Sequence, residues 1–210
     1  MSKIFIGIMG KARSGKDFFA KTLSEEFFNI TKHRFVLMAY ATELKMMVQH
    51  NFDLTYEQLW GEDKEVVDTR YKKQNSNEYW TAREIMQSFG EFYRSIDNHF
   101  WVKALFNIID TKKFNNVIIT DLRHINEVNP IIDRGGYIIN VVNDIAESIH
   151  GSNHISEQLN YDADFTVINN YNPLELDKSS TADDLRVSAR QIVNFIKNNE
   201  KIKGDFKNGR

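Results

Sequence analysis

Residues 10–17 read Gly-Lys-Ala-Arg-Ser-Gly-Lys-Asp, a match to G-x-x-x-x-G-K. Gly10 and Gly15 permit backbone angles and close approach that a side chain would block, so successive N–H groups can point inward at phosphate oxygens. A helix that starts here adds its positive end, and Lys16 adds a cation for the β- and γ-phosphates. On this reading Gly10, Gly15 and Lys16 cradle the phosphates. Asp17 occupies the place where such loops usually carry a hydroxyl, so it either meets a metal, directly or through water, or caps the helix. Asp121 follows the apolar run Val117, Ile118, Ile119. A carboxylate there either holds Mg²⁺ opposite the loop and positions the attacking group, or simply ends the strand as a turn residue. Arg123, two residues on, either stabilises charge on a transferred phosphoryl and grips an acceptor phosphate, or pairs with Glu127 one turn later. The chemistry these residues share is phosphoryl transfer by positioning, with ATP and Mg²⁺ on the loop, an acceptor beside it, and catalytic roles for Lys16, Arg13, Asp121 and Arg123.

Other chemistries find less support. His150 and His154 would share a face if helical, yet there is no H-E-x-x-H pattern, no Cys and no third ligand for zinc. Ser14 lies inside the loop and no Ser sits on a nucleophile elbow, which argues against a catalytic triad. Lys45, Arg83, Arg94 and Lys103 are cations near helix ends, and spacing alone does not choose among them.

The elements that must carry these groups alternate strand and helix. Strands are expected at residues 3–9, 34–40, 116–123, 137–142 and 165–169. Helices are expected at 16–28, with Phe19, Ala20, Leu23 and Phe27 inward, at 41–50, at 124–134 and at 181–197, with residues 198–210 frayed. Thr81 and Glu84 form a capping box ahead of an apolar stripe of Ile85, Met86, Phe89 and Phe92; a second stripe runs through Trp101, Leu105, Ile108 and Ile109. Gly90 and residues 95–98 are expected to divide the two helices. Residues 51–80 lose periodicity and read either as a surface excursion or as a mobile flap. The pattern implies an α/β fold with a five-stranded parallel sheet and helices on both faces. Ligands of such sheets gather at the carboxyl ends of strands, which would place residues 10–17, 40–45, 121–123 and the loop after Val142 on one rim.

Composition agrees. The 210 residues are 41% hydrophobic and 27% charged, enough for one domain with a real core. Lys plus Arg number 27 against 29 for Asp plus Glu, a balance that does not suit a general nucleic-acid binder. The absence of Cys excludes disulfides, and with no signal-peptide pattern and no apolar run near the roughly 18 residues of a membrane span, a soluble, cytoplasmic protein is expected.

Several blocks, taken together, resemble the bacteriophage-type deoxynucleoside monophosphate kinases. They are G-K-A-R-S-G-K-D at residues 10–17, A-x-x-L-K ending at Lys45, and R-x-x-M-Q-x-x-G at Arg83, Met86, Gln87 and Gly90. D-x-x-x-W-V-K follows at Asp97, Trp101, Val102 and Lys103, then T-D-x-R-x-x-x-E at Thr120, Asp121, Arg123 and Glu127, and H-x-S-E at His154, Ser156 and Glu157. The resemblance implies a single P-loop kinase domain over residues 1–210, a three-layer sandwich with an acceptor-side insertion around 51–80 and a lid-like segment around 143–162. It implies transfer of the ATP γ-phosphate to a deoxynucleoside monophosphate for DNA synthesis, in the host cytoplasm if phage-encoded, by a chain that could form a homodimer. Gly10, Lys11, Arg13, Ser14, Gly15, Lys16, Asp17 and Phe18 would then bind the ATP phosphates and Lys45, Arg83, Gln87, Gly90, Trp101, Lys103, Arg123 and Glu127 the acceptor, with Asp17 and Asp121 at the metal. Residues 143–162 contain no Arg or Lys, so charge stabilisation falls to Arg13, Arg123 or elsewhere. Two alternatives stand beside this reading: a kinase for another small phosphorylated acceptor, of phosphomevalonate or dephospho-coenzyme A type, and an ATPase or nucleotide switch acting on a protein partner.

The loop assignment makes a direct prediction. Lys16→Ala is expected to abolish phosphoryl transfer while leaving the circular dichroism spectrum unchanged; unaltered turnover would refute the assignment.

Overall fold

The computed structural model describes residues 3–145, 148, 159, 161–172 and 179–207. The chain divides into two compact units, one of residues 1–39 and 112–210 and one of residues 40–111.

The first unit is built on β1 (Ile4–Met9), whose six residues are all buried. Unbroken burial is what a central parallel strand covered on both faces requires. Around it lie β2 (Val36–Ala39), β5 (Asn116–Leu122), β6 (Tyr137–Val142) and β7 (Phe165–Ile168), in the order β2-β5-β1-β6-β7. Each neighbouring pair is parallel. Ile4, Ile6 and Ile8 face one way and meet Phe19, Ala20, Leu23 and Phe27 of α1 (Lys16–Thr31). They share that core with Leu185, Ala189, Ile192, Val193 and Ile196 of the last helix, α7 (Ser179–Lys207). Buried Glu26 ties α1 to α7 through Arg190, 3.1 Å away, with Arg186 at 3.8 Å. On the opposite face, α6 (Ile125–Ile132) sends Ile131 over β1, so close that a Cβ on Gly7 would lie 2.8 Å from its side chain. The expected five-stranded parallel sheet with helices on both faces is therefore present. Two boundaries differ. α1 runs on to Thr31, closed by Lys32 in a left-handed conformation, and α7 continues to Lys207 where fraying was expected.

The second unit holds α2 (Ala41–Phe52), α3 (Tyr56–Leu59), a 3-10 turn at Asp63–Glu65, the antiparallel pair β3 (Val67–Lys72) and β4 (Tyr79–Thr81), α4 (Ala82–Ile96) and α5 (Phe100–Lys112). Residues 51–80 are thus more ordered than their polarity implied. Capping is the local reason: Thr55 and Gln58 form a capping box on α3, as Thr81 and Glu84 do on α4. The non-local reason is a small core of Val48, Leu54, Leu59, Ala82 and Ile85, against which Tyr71 and Trp80 of the hairpin pack. The helix break falls at Asp97, as expected, but Gly90 does not interrupt α4. Phe92 is 59% exposed and leaves the expected core stripe. In the hairpin, Arg70 binds both oxygens of buried Asp68, Nε to Oδ1 at 2.9 Å and Nη2 to Oδ2 at 2.7 Å, and Gln58 adds a third donor at 3.0 Å. This pairing outweighs burial and holds the Asp68 carboxyl well below the ordinary carboxylate range. Among the described residues no helix is long and apolar enough to cross a membrane.

The packing leads to two expectations for stability. At Gly136 a Cβ would stand 2.5 Å from the Phe5 carbonyl oxygen and 2.9 Å from that of Ile131. Backbone cannot retreat as a side chain can, so Gly136→Ala should lower the unfolding free energy by about 1–3 kcal/mol, read from the denaturant midpoint. Because the folded Asp68 carboxyl has a depressed pKa, its stabilisation is complete above the unfolded carboxylate pKa near 3.9 and is lost as pH falls toward the folded value. Asp68→Asn should destabilise the protein by about 1 kcal/mol at neutral pH and flatten the acid side of its thermal-stability profile.

Candidate active site

Backbone geometry makes the loop after β1. Gly10, Arg13 and Gly15 all have positive φ, at 154°, 63° and 88°. A Cβ on Gly10 would lie 2.4 Å from the Val141 carbonyl oxygen, and one on Gly15 would lie 2.4 Å from Asn169 Nδ2, so both glycines are required by space as well as by angle. The Ser14 N–H donates to the Lys11 carbonyl at 3.1 Å, and Phe19 N–H donates to the Gly15 carbonyl at 2.9 Å as α1 begins. Met9, Gly10, Lys11, Ala12, Ser14, Leu122, Arg123, Asn143 and their neighbours enclose a cavity of about 230 Å³. Ser14 is 2% exposed, and among the described residues its Oγ has no hydrogen-bond partner. A buried hydroxyl left unpaired beside a cavity at a helix N-terminus fits an anion such as a phosphate.

One carboxylate oxygen organises the charge. Asp121 Oδ1 is 3.4 Å from Lys16 Nζ and accepts from Arg123 Nε at 3.2 Å and Nη2 at 3.1 Å. Lys16 itself is 8% exposed. The pairing of β1 with β5 explains how Asp121 comes to face the lysine: Gly7 stands opposite Ile119 but Met9 opposite Leu122, so β5 carries one extra residue there. Such a bulge re-aims side chains, and Asp121 completes it with a φ of 66°. Glu127, 3% exposed, accepts the backbone N–H groups of Arg123 at 2.7 Å and His124 at 3.1 Å, fixing the start of α6 and the base of Arg123.

The remaining loop residues are placed as follows. Lys11, Arg13, Asp17 and Phe18 are exposed, and Asp17 sits in the first turn of α1. Among the described residues no three His, Asp or Glu side chains converge on a metal position. Asp121 and Asp17 are the carboxylates near the loop that could hold a magnesium ion shared with substrate phosphates.

Within the second unit the candidate residues fall into two groups. Gly90 is buried, its carbonyl accepts Trp101 Nε1–H at 3.3 Å, and a Cβ there would meet Arg94 Nη1 at 3.2 Å and Leu44 at 3.5 Å. Trp101 is 3% exposed, so its ring is a packing element between α4 and α5. Lys45 lies over the Trp60 ring at 5.5 Å, and Gln87 is half-buried. The second group is paired with acids: Arg83 with Glu65, and Lys103 Nζ with Asp97 Oδ2 at 2.6 Å. That lysine, then the His99 N–H, lowers the Asp97 pKa. His150, His154, Ser156 and Glu157 lie outside the described residues, as does most of the lid-like segment.

Two residues went unselected in the sequence. Asn169, 5% exposed, donates from Nδ2 to the Ser14 carbonyl at 2.8 Å, and Asn143, 4% exposed, donates to the Tyr171 carbonyl at 3.0 Å. Each asparagine directly follows an apolar strand, at Val141-Val142-Asn143 and Val167-Ile168-Asn169, and that was the available sign.

Likeness to known proteins is uneven. No curated protein matches the chain. Among solved structures, shikimate kinase from Bacteroides thetaiotaomicron is 13% identical with a TM-score of 0.39, covering 92% of this chain and 99% of that one. Dephospho-CoA kinase from Campylobacter jejuni is 11% identical with a TM-score of 0.40, covering 90% and 97%. The family model of deoxynucleotide monophosphate kinase matches residues 25–180, which is well over half of the chain and includes Asp121, Arg123 and the α4–α5 blocks. With that match the chain belongs to the deoxynucleotide monophosphate kinase family and is an ATP-dependent kinase.

Proposed function

We propose that this kinase transfers the γ-phosphoryl group of ATP to a deoxynucleoside monophosphate, yielding the diphosphate. The observation that carries the reading is the convergence of Lys16 and Arg123 on Asp121 Oδ1 beside a loop with a buried, unpartnered Ser14 hydroxyl. The acceptor class is supported by the family match and by the blocks around Arg83 and Trp101.

When bound, ATP with Mg²⁺ would supply the phosphoryl group and the positive charge over its β and γ oxygens. Loop amides of residues 10–16 other than that of Ser14, whose N–H is held by Lys11, and the Ser14 hydroxyl would donate to phosphate oxygens. Lys16 would neutralise charge on the oxygens in transfer, and Asp121 and Asp17 would hold the metal directly or through its waters. Arg123 presents a fork suited to a second phosphate, with its backbone held by Glu127. Arg13, exposed on the loop, is the second cation for the transition state. Lys45, Arg83, Gln87, Gly90 and Lys103 would serve the acceptor, as the family blocks imply, and Trp101 ties α5 to the Gly90 carbonyl. In this scheme the acceptor phosphate oxygen forms the new bond to phosphorus as the bond to the ADP oxygen breaks.

A coupled ADP-release assay across dAMP, dGMP, dCMP, dTMP and modified pyrimidine monophosphates tests the reading. Turnover with at least one of them, well above ATP hydrolysis alone, is expected. Turnover only with phosphomevalonate or dephospho-coenzyme A would replace the acceptor class, and acceptor-independent hydrolysis stimulated by a protein would replace the kinase role.

A further inference from the structure

A peptide group is planar and trans, so its carbonyl and its N–H point in opposite directions. Whatever holds the carbonyl of Ser14 therefore aims the N–H of Gly15. In this protein the holder is Asn169, at the far end of β7, 155 residues away in the chain. Its Nδ2 donates to the Ser14 oxygen at 2.8 Å while its Oδ1 accepts the Tyr171 N–H at 3.1 Å, which leaves one orientation for the amide. Its own N–H donates to the Val142 carbonyl at 2.7 Å, tying it to the end of β6. Nδ2 also fills the space a Gly15 side chain would need.

We infer that Asn169 is a positioning residue for phosphate binding: it sets the direction of the Gly15 amide in the loop and never touches substrate itself. The inference rests on the reading of residues 10–17 as the nucleotide phosphate site and adds to it a residue from the opposite end of the sheet. An aspartate at the same position has the same shape but, when ionised, offers the Ser14 oxygen no donor and repels it. Alanine removes the donor and leaves the peptide free to rotate.

The test is calorimetric titration of the full chain with MgATP and, separately, with inorganic tripolyphosphate, which has no base or sugar to add contacts elsewhere. Wild-type protein should bind both. Asn169→Ala should weaken both by about tenfold, which corresponds to about 1.4 kcal/mol, and should raise KM for ATP while leaving KM for the acceptor unchanged. Asn169→Asp, the isosteric variant that keeps the packing, should be at least as weak at pH 7.5, and its affinity relative to wild type should recover as pH falls toward 5 and the carboxyl gains a proton to donate. A residue that only supported the fold would lower thermal stability and the active fraction without moving the ATP and tripolyphosphate constants together. Wild-type affinity in either variant at pH 7.5 overturns the role of Asn169 and leaves the kinase reading standing. Failure of wild-type protein to bind either ligand overturns that reading and this inference with it.

Discussion

Backbone amides can surround an anion only if the carbonyls behind them are satisfied elsewhere, because each planar peptide couples the two. This constraint runs through the first unit. The loop of residues 10–16 contains left-handed conformations at Arg13 and Gly15 and a crowded Gly10, none of which is stable without support from outside the loop. Support comes from three directions. β1 is locked between β5 and β6, Val141 packs against Gly10, and Asn169 reaches across from β7. The core of α1 and α7 on one face, and α6 on the other, holds those strands in register.

The same unit treats charge as it treats backbone. Lys16 is almost wholly buried, and a buried ammonium needs a counter-charge. Asp121 provides it and shares the same oxygen with Arg123. Two cations on one carboxylate give the buried lysine a counter-charge and hold it and Arg123 beside the loop. A strand bulge and a left-handed aspartate are the structural cost of bringing these three side chains together.

The second unit is stabilised by other means. Its apolar cluster is small, and its order comes from two capping boxes, an Asp68–Arg70–Gln58 network and the Trp101 bond to Gly90. The sequence block containing Asp97, Trp101 and Lys103 turns out to be an α4–α5 junction: Asp97 accepts the His99 N–H at 2.9 Å and pairs with Lys103, and Trp101 fastens the following helix. Residues that resemble a binding motif thus perform a structural task at this junction.

What the sequence determined by itself is whatever depends on short-range periodicity and steric permission. The run from Ile4 to Met9, the inward face of Phe19, Ala20, Leu23 and Phe27, the Thr81–Glu84 capping box and the glycine spacing of the phosphate loop follow from neighbours in the chain, and each stands as read. The hairpin in residues 51–80 escaped because its pattern is weak until Tyr71 and Trp80 have a core to lie on. Phe92 was misplaced because periodicity shows which residues share a face but not where that face meets solvent. Only the tertiary structure decided that a bulge turns Asp121 onto Lys16 and that Asn169 holds the Ser14 carbonyl. Those outcomes depend on strand register and on pairs more than a hundred residues apart, and local sequence carries no energy term for either.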